Sequence, residues 1–429
     1  METRERRDVR ASLRKPFCTY PLVALSVLLA LLFIRPALSE YFVSTSRELD
    51  EQSILRASRI LDEQAPYHYL LGLMYSDRGD TPGIEKAIHQ YHLALKRNPV
   101  NARTWLAIAK AYRERGMHEH ARYAIKRAVL INRNSPYLIW EAAVFFLLED
   151  NLDEATRLYK KYLSLNPDDQ ESVYSLYYVM HADPGHIITA LLPWDYSFYK
   201  RYFRFLLSKH RFKESWDLWE TMQSFTPERS LYLEYVNFLI NADEIKEALQ
   251  VWNDFVQRFT AHTTVTTSHD RLWNGDFELP LEDGGFDWRL GEADGVSVFP
   301  DMNIKRTGYA SLSIRFQGTH NPGITIARQT VSVQPATQYK VIGYIRTDNI
   351  TTKNGLYLEA SGFKCHPFVN RTESVTGTIH WQRMELDFRT PSECSTVTIA
   401  IGRERSEKFD NKINGDAWID SLTMTAQQN

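Results

Sequence analysis

Trp105-Leu106-Ala107-Ile108-Ala109-Lys110-Ala111-Tyr112, followed by Gly116, Ala121, Ile125 and Ala128, decides the reading of the first half of the chain. Its small and aromatic residues recur at a fixed interval. Ala87, Ala121 and Ala155 are spaced by 34, as are Ala94 and Ala128, with Tyr162 next in that series. Tyr91, Ile125 and Tyr159 fall on the same grid, and Pro99 and Pro167 are 68 apart. Self-similarity at this period marks stacked helical hairpins. Alanines let the two helices of a hairpin approach closely, aromatics fill the gaps between hairpins, and proline stops the second helix. One hairpin cannot bury its apolar face alone, so stacking must supply the core.

The pattern resembles the tetratricopeptide repeat family. The preceding copy reads Leu71-Gly72-Leu73-Met74-Tyr75, then Gly79, Ala87, Tyr91, Ala94 and Pro99, with extra residues in its turn around Asp80-Thr81-Pro82-Gly83. Later copies degrade. Residues 135–168 keep Phe146, Ala155, Tyr159 and Pro167, and residues 169–194 are irregular around Asp183-Pro184-Gly185 and Pro193-Trp194. Residues 195–228 keep Tyr199, Tyr202, Trp219 and Pro227; residues 229–259 keep Tyr232, Tyr235, Ala248, Trp252 and Phe255. This predicts an all-α solenoid over 47–260, with about six repeats and a cap helix near 47–64. The resemblance implies a concave surface that docks a protein partner. Tyr69, Tyr112 and Tyr177, or their neighbours, would face it unless each is interlocking core. Met117-His118-Glu119-His120 reads either as a metal-binding pair or as a solvated turn between two repeat helices; its place in the turn favours the second.

From Thr260 the helical period is lost. A Thr-rich linker over 261–270 is expected, then an all-β jelly-roll sandwich over 271–429. Alternating runs bounded by turn residues include 310–316, 324–333, 339–346, 356–360, 382–388, 395–401 and 416–424. A first strand near 271–278 would bring the total to eight or nine.

This half resembles carbohydrate-binding modules of the family 4/9 type, within the galactose-binding-like sandwiches. The carriers are Asn274-Gly275-Asp276-Phe277-Glu278, Gly285-Phe286-Asp287-Trp288, Gly308-Tyr309-Ala310-Ser311-Leu312, Val331–Pro335 with Tyr339, and Trp418-Ile419-Asp420. The resemblance implies glycan binding on aromatic platforms, since the apolar face of a pyranose packs on a ring. The candidates are Trp288, Tyr344, Tyr357, Phe363 and Trp381, with Asn354, Arg346 and Gln382 as rim polar groups; burial in the core is the alternative for each ring. It also implies a structural calcium ion at Asp276, Glu278 and Asp420, whose hard oxygens suit that cation. The alternative is that they are ordinary strand-end or turn acids.

At the amino terminus, residues 1–16 carry six basic residues, and an apolar run from Phe17 to Ile34 ends at Arg35-Pro36. Residues 1–16 read as a cytoplasmic tail and 17–35 as a single-pass transmembrane signal anchor in an inner or plasma membrane. A signal peptide cleaved after Ser39 is the competing reading. Either places the bulk of the chain in the periplasm or outside the cell. There a disulfide between Cys365 and Cys394 is expected, against the alternative of two separate thiols. Asn349-Ile-Thr351 and Asn370-Arg-Thr372 are glycosylation sequons.

Across 429 residues, a net charge of -2 argues against a nucleic-acid partner, and three cysteines exclude a disulfide scaffold. No phosphate loop, G-x-S-x-G or H-E-x-x-H motif is present, so no catalysis is expected. The whole reads as a membrane-anchored adaptor whose solenoid binds a protein and whose jelly roll binds a polysaccharide, in surface polysaccharide assembly or export. The alternative is an interaction scaffold whose jelly roll binds no sugar.

Overall fold

A computed structural model describes residues 51–60, 65–179, 187–260, 270–365, 367–409 and 411–427, with isolated positions 34, 38 and 185. The expected tail 1–16, the expected anchor apart from Ile34, and linker residues 261–269 lie outside the described residues. Among the described residues no helix is long and apolar enough to cross a membrane.

The helices are α1 Glu51–Ile60, α2 Ala65–Asp77, α3 Thr81–Arg97, α4 Ala102–Glu114, α5 His118–Ile131, α6 Pro136–Leu148, α7 Leu152–Leu165, α8 Gln170–Val179, α9 Tyr196–Ser208, α10 Phe212–Gln223, α11 Arg229–Ala242 and α12 Ile245–Phe259. Ile187–Leu191 forms a π-helical turn. Contacts divide the chain into two compact units, Met1–Tyr202 and Phe203–Asn429.

In the first unit the 34-residue grid is the core. Ala87, Ala121, Ala155, Ile125 and Tyr159 are fully buried, and Tyr91 nearly so. The α2/α3 hairpin closes so tightly that a Cβ on Gly72 would run into the Tyr91 ring. The connections keep the same period. Asn98, Asn132 and Asn166 each end a helix, donating backbone N–H to Ala94, Ala128 and Tyr162. Asn101 and Ser135 cap the next helices, accepting from Thr104 and Leu138 N–H groups that would otherwise lack partners. The histidine-rich segment lies at the exposed start of α5, where His118 meets Glu149 at 3.0 Å and Glu119 pairs with Arg122.

The second unit joins α10–α12 to a sandwich of two five-stranded antiparallel sheets. Sheet A has the order β1-β4-β9-β6-β7 and sheet B the order β2-β3-β10-β5-β8. The strands are β1 Arg289–Leu290, β2 Val296–Asp301, β3 Ser311–Gln317, β4 Ile324–Ser332, β5 Gln338–Ile350, β6 Tyr357–Gly362, β7 Val369–Arg371, β8 Gly377–Arg389, β9 Thr396–Arg403 and β10 Asn414–Ala426. Alternate residues such as Leu312, Ile314, Val341, Ile345, Leu358, Ile399, Ile419 and Met424 interlock as one core.

The expected first strand at 271–278 is instead a chain of turns. Asn274 and Phe277 have left-handed φ of 50° and 56°, which no strand contains. The Trp273 backbone pairs with a side chain, donating to Gln329 Oε1 at 3.1 Å and accepting from its Nε2 at 2.7 Å. Asn274 likewise bonds both backbone groups of Leu279. Strand β2 was not anticipated. It is a half-exposed edge strand containing Pro300, which its unpaired side tolerates.

The period changes at 260, yet the compact unit begins at Phe203. Trp252 of α12 packs against Trp273 and Phe286, at 5.8 and 6.2 Å between ring centroids. Gly285 has φ +60°, and a Cβ there would strike Trp252. Its N–H donates to Asn237 Oδ1 of α11 at 2.8 Å, which Arg289 also donates to. Arg229 donates to Glu282 at 2.8 Å, and Lys364 to the Asn241 carbonyl. The last helical hairpin and the sandwich therefore share one apolar seam rimmed by polar contacts.

Candidate functional site

Period-two alternation sorts the predicted rings. On β5, Tyr339, Val341 and Ile345 point into the core, so Lys340, Ile342, Tyr344 and Arg346 point outward from sheet B. The register sets Trp418 of β10 beside Arg346, and Asp420 beside Tyr344, which in turn faces Arg383 of β8. Phe299 of β2 is opposite Ser313 of β3, whose other neighbour is Trp418. One outward surface thus carries Phe299, Trp418, Tyr344 and several arginines.

Not all predicted platforms lie on it. Trp288 is completely buried among core residues, and its Nε1 donates to the Asn274 carbonyl at 3.1 Å. It is a core residue and offers no face to a ligand. Tyr357 is half-buried on sheet A, beneath Arg371, which is held by Glu359 and Glu404. Phe363 is half-buried and follows β6, exchanging hydrogen bonds with Thr396 beside the Lys364 contact to α11. Tyr344 and the half-buried Trp381 of β8 belong to sheet B. Of the rim groups, Arg346 is on this face and Gln382 is exposed on β8; Asn354 is structural, its carbonyl accepting from buried Arg403 at 3.0 Å.

Trp418, quoted above only as part of the closing Trp-Ile-Asp motif, lies on this face as well. It is only 5% exposed, because Arg346 lies over its ring at 5.6 Å. Its Nε1 donates to Asp301 Oδ2 at 2.9 Å.

Two of the three acids assigned to calcium do local work. Asp420 is fully buried, and its Oδ2 accepts N–H from Arg306 at 2.7 Å and Thr307 at 3.1 Å. Glu278 Oε1 accepts the N–H of Tyr309 at 2.6 Å. Together they clamp the 302–310 loop against β10 of sheet B and the 271–278 turns. Clamping sets Arg306 over the Tyr344 ring, 3.6 Å from its centroid. Glu278 Oε2 is buried with no partner, and Asp276 is exposed. Among the described residues no group of three or more His, Cys, Asp or Glu side chains is placed to hold a metal ion.

Cys365 and Cys394 form a disulfide, Cα atoms 5.1 Å apart, that ties the chain after β6 to the turn before β9. Asp287 is buried in the loop that meets α11, accepting from Glu282 N–H and Trp288 N–H at 2.7 Å each. Burial pushes its carboxyl up to about 7 in spite of these donors.

The first unit has a groove of about 380 Å³. Tyr69 and Leu73 of α2, Arg103, Lys110 and Glu114 of α4, and Tyr137 of α6 line it. Three successive hairpins each contribute their first helix, as a stacked array requires. Tyr137 is 54% and Leu73 40% exposed, and Lys110 is paired with Glu141 at 2.7 Å. Of the other tyrosines expected there, Tyr177 is fully buried with its hydroxyl on Thr156, and Tyr112 is core bonded to His92.

No known family profile matches the chain. A stretch of 158 residues, 34% of the chain, is 26% identical to the tRNA(Glu)-specific nuclease WapA of Bacillus subtilis subsp. natto, and 25% identical to the tRNA nuclease WapA of Bacillus subtilis strain 168. The match spans 7% of the length of those two relatives. Among solved structures the chain is similar to tetratricopeptide-type solenoids, such as MamA, at 20% identity over 27% of this chain and 66% of that one, TM-score 0.24. It is also similar to carbohydrate-binding modules. One is TmCBM61 in complex with β-1,4-galactotriose, at 18% identity over 37% of this chain and 100% of that one, TM-score 0.26. Another is a family 4 module at 13% identity, over 36% and 99%, TM-score 0.27.

Proposed function

We propose that the protein is a non-catalytic adaptor that holds a polysaccharide on the outer face of sheet B and a peptide segment of a protein partner in the groove of its first unit. The observation that carries the reading is the outward row of Phe299, Trp418, Tyr344 and arginines on an otherwise complete sandwich. Rings overlaid by guanidinium groups offer a saccharide planar N–H donors beside apolar surface. The groove supports the second half of the reading. Half-exposed rings and Arg103, which has no acidic partner among the described residues, suit an extended chain.

The amino-terminal basic-then-apolar sequence supports an anchor that leaves both binding surfaces outside the cytoplasm. In that setting a role in surface polysaccharide assembly or export uses both halves. A structural calcium ion belongs to the same reading, supported by the free buried oxygen of Glu278. If it binds, chelation lowers the melting temperature and calcium restores it.

A glycan array and affinity electrophoresis on the full chain, with and without calcium, test the reading. Binding that is lost in Trp418→Ala or Tyr344→Ala, with the circular dichroism unchanged, is the expected outcome. Retention of no glycan by oxidised, calcium-replete protein would favour the interaction scaffold.

A further inference from the structure

On the glycan-binding reading, we propose that the outer face of sheet B selects a polysaccharide bearing carboxylates, a uronate polymer, with Arg306 and Arg346 as the selecting groups.

The first argument is steric. The Arg306 guanidinium lies 3.6 Å from the Tyr344 centroid, and Arg346 lies over Trp418 at 5.6 Å. A neutral pyranose seeking those ring faces finds them covered. What the surface offers instead is two planar cations braced on aromatic rings. A stacked guanidinium keeps its N–H edge free, and that edge matches a carboxylate in bidentate fashion.

The ion pairs of the face leave both guanidiniums open. Asp416 is taken by Arg315 at 2.8 Å, and Asp420 by the 302–310 loop. Asp301 accepts from Trp418 and from Asn303, and Glu385 is held by Lys340 and Arg383. Asp387 is also held by Lys340, at 3.6 Å, while Asp301, Asp420 and the exposed Asp348 form no ion pair among the described residues. Neither Arg306 nor Arg346 has an acidic partner among the described residues; Arg306 contacts the Ser421 hydroxyl at 3.4 Å. Neither guanidinium is therefore closed off by a direct ion pair, and both keep N–H donors available on the aromatic part of the face.

The arrangement is also built in advance. Asp420 fixes the Arg306 backbone, and Arg346 projects from a central strand of the sheet. Tyr344 and Arg346 are successive outward residues, roughly 7 Å apart along β5. Little ordering remains to be done when a repeating anion arrives.

The test uses the full chain in affinity electrophoresis against polygalacturonate, alginate and hyaluronate. The comparison probes are methyl-esterified polygalacturonate, neutral β-1,4-galactan and polyglutamate. The expected result is retention by at least one uronate polymer. It should weaken at least tenfold on esterification of polygalacturonate or in Arg306→Gln/Arg346→Gln, and less in the double lysine variant, which keeps charge but loses the fork. If the glutamine pair fails to fold by circular dichroism, the esterified and free polymers decide alone. Equal binding of free and esterified polymer, or binding of galactan only, overturns the selectivity and leaves glycan binding standing. Polyglutamate bound as tightly as any uronate overturns it in favour of an acidic protein. No retention by any polysaccharide overturns the inference and the reading beneath it.

Discussion

The indoles of Trp252 and Trp273 meet edge to face, with ring centroids 5.8 Å apart and planes at 88°. One belongs to the last helix and the other to the first turns of the sandwich, so a repeat residue covers the apolar edge of the β domain. Trp252 is fully buried, and Trp273 and Phe286 nearly so. A fragment that starts at residue 265 strips this cover. We expect 203–429 to unfold in one cooperative step, and 265–429 to bind a hydrophobic dye and melt lower. Trp252→Ala in the full chain should cost about 3–5 kcal/mol, the range for deleting a buried tryptophan. Denaturant unfolding of the variant and both fragments checks this; equal stability of the two fragments would refute the shared core.

Asp287 makes the same loop sensitive to pH. Its carboxyl is raised by burial to about 7, above the ordinary value near 4. The folded state therefore holds the proton more tightly than the unfolded one. That contribution is fully present below about pH 4 and is lost as pH rises through about 7. The stability of the wild type relative to Asp287→Asn should fall by about 2–4 kcal/mol between pH 4 and pH 8. Urea titrations across that range read it directly. A constant difference would mean that the Glu282, Trp288 and Asn274 donors keep the group ionised.

Reduction should weaken the second unit alone. The Cys365–Cys394 bond spans a sequence separation of 29. Closing a loop of that length removes unfolded-state entropy worth about 3–4 kcal/mol in the chain-entropy model. The melting transition of 203–429 should drop in dithiothreitol and in Cys365→Ser/Cys394→Ser to the same extent. In the full chain, the transition of the first unit should not move.

Gly72→Ala offers a converse test of the first unit. The added methyl would meet the Tyr91 ring at the tightest point of the α2/α3 hairpin. Better helix propensity favours alanine by about 1 kcal/mol, whereas overpacking opposes it by about 1–3. Net destabilisation is expected, and Tyr91→Leu in the same chain should relieve it. Thermal melts of the single and double variants decide the sign.

The helical half was legible because one rule repeats. Ala87, Ala121 and Ala155 are buried for the reason their spacing suggested, and irregularity after Pro167 coincides with the short α8 and the π-helical turn. The sandwich was legible where a strand alternates cleanly, as β5 does from Tyr339 to Ile345. It was illegible at 271–278, where Gln329, distant in sequence, supplies the hydrogen bonds that a strand partner would. The site was harder still. Trp288 and Tyr344 are both aromatic residues among turn and strand signals, yet one is sealed in the core and the other turns outward.

Composition and periodicity alone determined the two architectures, their order along the chain and the change of period at 260, since these depend on spacing within short segments. Only the tertiary structure decided that Trp252 packs against the turns that open the sandwich, that Asp420 clamps a loop rather than merely ending a strand, and that Arg306 covers Tyr344. Each of those pairs residues far apart in sequence, and a hydrogen bond or ring contact forms only when folding sets its two halves within a few ångströms.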